Sequence, residues 1–230
     1  MSLLYTCAKY QLVRDAKALF ARIQVCYEAL TTSAATLDAT ALKEALASAS
    51  ELGLTNTAAD GSSSSTSGAA AVARAQKVLE MVEEVAANLE AADGAAEVNT
   101  QALATAIEEA EGCGWGAPGK GGEAAVAAAK AHLEAIESVL KDAAALVEAV
   151  GDKEQLDACL ATAAKQRVST EPAVLQLQEL VDLPLDALLT KQMKCARAAN
   201  DVERIKKLTA AIKVSIGLLV VPLSFVFAFK

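Results

Sequence analysis

Leu42, Ala45, Leu46 and Ala49 fall at i, i+3, i+4 and i+7, which places large and small apolar side chains on one face of a helix. The pattern returns at Leu103, Ala106, Ile107 and Ala110, then at Leu156, Cys159, Leu160 and Ala163, and more weakly at Leu208, Ala211, Ile212 and Ser215. The offsets are 61, 53 and 52 residues, so the first interval is longer by about one loop insertion. That insertion is visible as Gly61-Ser62-Ser63-Ser64-Ser65-Thr66-Ser67-Gly68, a tract whose composition cannot bury apolar surface. A second pattern interleaves with the first: Leu79-Glu80-Met81-Val82, Leu133-Glu134-Ala135-Ile136 and Leu185-Asp186-Ala187-Leu188, with Phe20-Ala21-Arg22-Ile23 as a looser member. From each of these to the next copy of the first pattern the distance is 22, 24, 23 and 23 residues in chain order. Two patterns that keep phase along the chain indicate tandem repeats.

Each repeat reads as a short helix followed by a longer one. The spacing predicts short helices over about 41–52, 102–112 and 154–166, and long ones over about 70–92, 123–149 and 173–200. Gly53 is placed to close the first short helix, and Gly112 with Gly114 the second. Ser169-Thr170-Glu171-Pro172 is a start signal for the third long helix, in which Pro184 predicts a kink or a fresh start. Small residues beside large ones let helix axes approach while leucines interdigitate, and one hairpin cannot cover its own stripe. The expected fold is therefore all-α, with tandem helical hairpins forming a bundle or short α-solenoid.

The chain divides into an N-terminal helix or cap (1–40), a first unit (41–101) carrying the Ser-rich insertion 60–69, a second (102–153), a third (154–207) and a partial fourth (208–230) with an apolar tail. It opens on a long-helix pattern and ends inside a short-helix one, as an excerpt of a longer array or an array with capping ends would. Units such as Ala41-Leu42-Lys43-Glu44-Ala45-Leu46-Ala47-Ser48-Ala49-Ser50-Glu51-Leu52-Gly53-Leu54 resemble the alanine-rich helical-hairpin repeats of large multidomain protist proteins, over about residues 13–218. The resemblance implies a spacer or interaction role without catalytic residues; no motor or kinase motif, such as can neighbour those repeats, stands in this sequence.

Composition sharpens this picture. Hydrophobic residues make up 53% of the 230 but aromatics only 3%, and alanine, a helix former, is the largest single share of the apolar content. A sandwich or barrel would need β-branched and aromatic residues, and a net charge of −8 is unsuited to neutralising phosphates, so nucleic acid is not an expected partner. Five scattered cysteines, with no C-x-x-C pair, fit reduced and partly buried thiols. No secretory signal is evident; the cations of residues 1–27 faintly suit an import signal, but their helix spacing suits the repeat equally. The expected location is cytoplasmic, with membrane association if the tail is an anchor.

That tail, Val214 to Phe229, is an apolar run of 16 residues, shorter than the ~20 a span usually needs. Three readings stay open: a short tail anchor preceded by Lys206, Lys207 and Lys213; a fourth unit folding back onto the bundle; or an artefact of gene structure beginning near Lys213-Val214-Ser215.

Candidate chemistry is sparse. Gly114-Trp115-Gly116-Ala117-Pro118-Gly119-Lys120-Gly121 has the G-x-x-x-x-G-K of a phosphate-binding loop, which makes Gly114, Gly119 and Lys120 weak nucleotide candidates. The hydroxyl that should follow the lysine is missing and a helix rather than a strand leads in, so a Gly-rich connector is the better reading. His132 is the single histidine, inside a long helix and without ligand spacing, and is expected to be half-exposed. The carboxylates Glu80, Glu83, Glu84 and Glu108, Glu109, Glu111 read as solvated faces. Trp115 is expected to be buried, and the Ser62–Ser67 tract to be a linker open to phosphorylation.

A charge reversal stands out at Lys191, Lys194, Arg197, Arg204, Lys206 and Lys207, a candidate surface for an acidic partner helix or a membrane, or simply a charged helix face. The sequence thus assigns no catalytic residue, metal ligand or cofactor. It points to a non-enzymatic scaffold, spacer or protein-interaction module that meets other proteins through helical faces. The alternatives are a tail-anchored adaptor using 214–229, and a nucleotide-binding enzyme using the Gly-rich loop. It leaves the oligomeric state open.

Overall fold

A computed structural model describes residues 2–54 and 68–225, with side chains described for 10–54 and 68–214. The Ser-rich tract up to Ser67, the side chains of the apolar tail from Ser215 onward and the last five residues lie outside the described residues. Among the described residues the chain is all-helical, without strands. Its elements are α1 (Ser2–Thr36), α2 (Ala39–Glu51), α3 (Gly68–Asp93), α4 (Thr100–Gly112), α5 (Glu123–Ala149), α6 (Lys153–Lys165), α7 (Pro172–Val181), α8 (Leu185–Ala198) and α9 (Val202–Phe225). No helix among the described residues is long and apolar enough to cross a membrane.

The three short helices are built alike. α2, α4 and α6 each have 13 residues. Each carries its first patterned leucine four residues after Asp38, Asn99 or Asp152. Asp38 Oδ1 accepts from the Thr40 and Ala41 N–H groups at 2.9 and 3.1 Å, satisfying donors that have no partner within the helix. At Asp152 the complementary half of a capping box is made, with Gln155 Oε1 accepting from the Asp152 N–H at 3.2 Å.

The closing turns are congruent as well. Eleven residues after each leucine the backbone is left-handed, at Gly53 (φ 71°), Gly114 (φ 76°) and Arg167 (φ 60°). The following amide, from Leu54, Trp115 or Val168, bonds back to Ala49, Ala110 or Ala163 at 2.9, 3.1 and 3.1 Å, which is a Schellman closure. The residue after the turn then packs beside the alanine that receives its bond. This accounts for Trp115, which is buried as the sequence suggests.

Burial follows the predicted stripe. Leu42, Leu103 and Leu156 are fully buried, as are Ala49, Ala110 and Ala163. The long helices α3 and α5 cover the predicted ranges, and the third is divided into α7 and α8 where Pro184 precedes Leu185. In the second pattern the buried residue is the last of the four: Val82, Ile136 and Leu188 are buried, Leu79 and Leu133 lie at the margin, and Leu185 is 56% exposed. Leu185 is the first residue of its helix, so nothing N-terminal to it on α8 shields it. The fourth copy of the pattern lies in α9, of 24 residues, and also differs in phase. Asp201 caps α9, accepting from the Arg204 N–H at 3.0 Å, so Ile205 stands where the earlier units have Leu42, Leu103 and Leu156, and Leu208 is one turn further on.

Two compact units divide the chain: Met1–Gly94 with Gln101–Ala131, and Ala95–Thr100 with His132–Lys230. A core of the first joins Cys26 and Leu30 of α1, Leu42, Ala45 and Ala49 of α2, and Val72 and Ala75 of α3. This is one packing module: the C-terminal half of a long helix, a short helix, and the N-terminal half of the next long helix. The second unit repeats it with Ala143 of α5, Leu156 of α6, and Leu177, Leu180 and Leu188 of α7 and α8. Leu189 and Ala196 of α8 and Leu208 of α9 begin another. Each fully buried leucine contributes roughly 2 kcal/mol of transfer free energy. Residues 95–100 join the second unit through the α6 turn: the Val98 N–H donates to Arg167 O at 2.7 Å, the Ser169 N–H to Glu97 Oε2 at 3.0 Å, and Arg167 Nη1 to Ala95 O at 2.9 Å.

Candidate functional site

The Gly-rich connector 113–122 runs from the end of α4 to the start of α5, within the first unit. Its polar groups close onto the protein. Lys120 Nζ donates to Ala35 O and the Gly121 N–H to Thr36 O (3.0 Å), so lysine and amide together satisfy carbonyls at the C-terminal end of α1. The Gly119 N–H donates to Glu123 Oε2 at 2.7 Å, placing a carboxylate of the protein where an incoming anion would have to sit. Glycine is needed here for close approach: a Cβ on Gly122 would fall 2.1 Å from the Trp115 ring, and one on Gly116 2.9 Å from Val126. Gly119 and Lys120 thus belong to a clasp between α1 and α5, while Gly114 closes the turn after α4.

The basic stretch separates into two kinds of residue. Arg204 is half-buried, and its guanidinium donates to Ala149 O (2.8 Å) and to Val150 O, binding α9 to the end of α5. Lys206 pairs with Glu203 at 2.9 Å on an exposed face. Lys191, Lys194, Arg197 and Lys207 are exposed. The acidic faces divide similarly, with Glu83 meeting Lys43 at 2.8 Å, Glu111 pairing with Lys130, and Glu109 accepting from Asn88 at 3.4 Å.

His132 is half-buried in α5, as its position in the helix suggests. Among the described residues no group of three or more His, Cys, Asp or Glu side chains is placed to hold a metal ion. Cys26 is buried, while Cys113, Cys159 and Cys195 are half-buried free thiols. Burial pushes the Cys26 thiol above its ordinary value; at Cys159 burial, and secondarily the negative charge of Asp142, does the same. Neither has the lowered pKa of a reactive thiolate.

The largest surface feature escaped the sequence reading. α1 has 35 residues, about 52 Å of helix, yet among its described side chains, from residue 10 onward, buried ones begin only at Cys26. Residues 10–22 are exposed throughout, including Leu12 (73%), Val13 (45%), Leu19 (48%) and Phe20 (69%). Arg14, Lys17 and Arg22 flank them, with Asp15 the one acid of the stretch. Nothing in the sequence marks this exposure, because Phe20-Ala21-Arg22-Ile23 belongs to the same pattern as the covered Leu133-Glu134-Ala135-Ile136.

No protein-family model, curated protein sequence or solved structure matches this chain.

Proposed function

We propose that this chain is a non-enzymatic helical-repeat module, a scaffold or spacer that meets other proteins through helix faces. The observation that carries the reading is the congruence of α2, α4 and α6, which share length, starting register, left-handed closing residue and buried stripe. Repetition of one packing module suits a protein whose task is to extend and present surface. The polar groups of the one candidate phosphate loop are used to fasten α1, which favours a structural role for that loop. The resemblance to alanine-rich helical-hairpin repeats agrees with this role.

Cross-linking mass spectrometry with amine-reactive reagents in native extract tests the reading. Inter-protein cross-links should concentrate on the exposed lysines Lys17, Lys191, Lys194 and Lys207. Recovery of the chain with no inter-protein cross-link at any of them would overturn it.

A further inference from the structure

The exposed half of α1 carries the same residues as a half-helix that is buried elsewhere in this chain. Val13-x-x-Ala16-Lys17-Ala18-x-Phe20-x-x-Ile23 aligns without a gap on Val126-x-x-Ala129-Lys130-Ala131-x-Leu133-x-x-Ile136 of α5, and Val72, Ala75 and Val82 of α3 keep the same spacing. The fates of the first two positions differ sharply. Val126 and Ala129 are each 2% exposed and Val72 and Ala75 are 4% and 1% exposed, whereas Val13 is 45% exposed and Ala16 lies open.

In α3 the preceding short helix packs on this half, and in α5 the turn that closes the preceding short helix does. Leu42, Ala45 and Ala49 of α2 share one core with Val72 and Ala75. The turn that ends α4 presses Gly116 against Val126, and Glu111 of α4 pairs with Lys130. Lys17 of α1 stands where Lys130 stands in α5, and Arg14 adds a further cation beside it. α1 therefore presents the receiving half of a packing module with its cations facing water.

The chain's own short helices do not fill this place readily. α2, α4 and α6 have their stripes buried already, with Leu42, Leu103 and Leu156 fully covered. α9 retains half-buried Ile205 and Ile212, but it carries Arg204, Lys206, Lys207 and Lys213, and like charges would oppose its docking on Arg14 and Lys17 of a second copy. The complementary occupant is an acidic short helix with the stripe Leu-x-x-Ala-[Ile/Leu]-x-x-Ala, of the kind α4 supplies, whose Glu111 meets Lys130 of α5.

We propose that residues 13–23 of α1 form a docking face for an acidic, alanine-striped amphipathic helix of another protein, packed as α2 packs on Val72 and Ala75 of α3. This rests on the interaction-module reading and names the partner chemistry for one of its faces. The probe is a labelled peptide of residues 99–115, held helical by a lactam bridge between positions 101 and 105, both on its exposed face. It is titrated into the full chain by fluorescence anisotropy.

Saturable binding is expected. Ala16→Glu and Lys17→Glu should each weaken it at least about tenfold, Lys130→Glu should leave it unchanged, and a peptide with Glu108, Glu109 and Glu111 changed to Lys should not bind. Both α1 substitutions lie on an exposed face, and circular dichroism checks that the fold is retained. No binding by the bridged peptide, or equal binding to the Lys17→Glu protein, overturns the proposal. So does a dimer in light scattering that dissociates on Lys17→Glu, because the face would then belong to a second copy. Failure here alongside inter-protein cross-links at Lys191, Lys194 or Lys207 removes this docking face and leaves the module reading standing.

Discussion

At the scale of single residues, the congruent short helices are held in phase by caps more than by leucines. A leucine can slide one turn along a stripe, as the fourth unit illustrates, where Asp201 fixes Ile205 and not Leu208 at the leading position. Gly114 isolates the closing turn, because its φ is 76° and a Cβ there would meet nothing within 4 Å. Gly114→Ala should therefore cost about 1–2 kcal/mol from backbone conformation alone, read from urea unfolding midpoints. At the other end of a short helix, Asp38→Ala removes the acceptor for two amides and should cost about 1 kcal/mol.

Cys26 gives a pH signature at the same scale. Its thiol sits in the α1–α2–α3 core and donates to Ala45 O at 3.7 Å, so burial raises its folded pKa above the unfolded one. The sign follows: the neutral thiol's contribution is complete below the thiol's ordinary value, and is lost as pH climbs from there through the raised folded value. Thermal melts across that alkaline range should fall more steeply for the native chain than for Cys26→Ala.

At the scale of elements, helix existence and type were legible because alanine and leucine at helical spacing leave one solution, and α5 spans the residues its pattern indicates. Turn chemistry supplied the break at Pro184. Less legible was which residue of each long-helix pattern faces inward. Leu79 and Val82 stand three apart on one helix and both suit a core, and only the neighbouring helix decides that Val82 is enclosed while Leu79 sits at the rim. The Gly-rich loop matches its reading as a connector: G-x-x-x-x-G-K specifies backbone freedom and a cation, and this fold uses the cation to fasten α1 and the glycines for close approach. Short helices should be the least tolerant elements. Leu156→Ala removes a fully buried side chain from the α5–α6–α7 module and should cost about 2–5 kcal/mol, whereas Leu175→Ala, at a 51% exposed site on α7, should cost under about 0.5 kcal/mol. Calorimetric or denaturant midpoints of the two variants measure the contrast.

At the scale of the whole molecule, energy is stored locally, because each packing module draws on consecutive helices and on little that is distant in sequence. The architecture was readable for that reason: periodic, local contacts leave periodic marks in a sequence. Exposure of α1 was not, since an uncovered face and a covered one are spelled with the same residues, as Val13 and Val126 demonstrate. Local storage predicts how damage spreads. Cavity formation at Leu156 should loosen the module built from Ala143, Leu177, Leu180 and Leu188 first. In hydrogen exchange, Leu156→Ala should then raise exchange in α6 and α7 while amides of α2, whose core lies with Cys26, Leu30, Val72 and Ala75, keep the protection of the native chain. The reciprocal Leu42→Ala should reverse that pattern. Equal loss of protection in α2 and α6 from either change would instead mean that the helices melt as one cooperative body, and that congruent modules do not make separable ones.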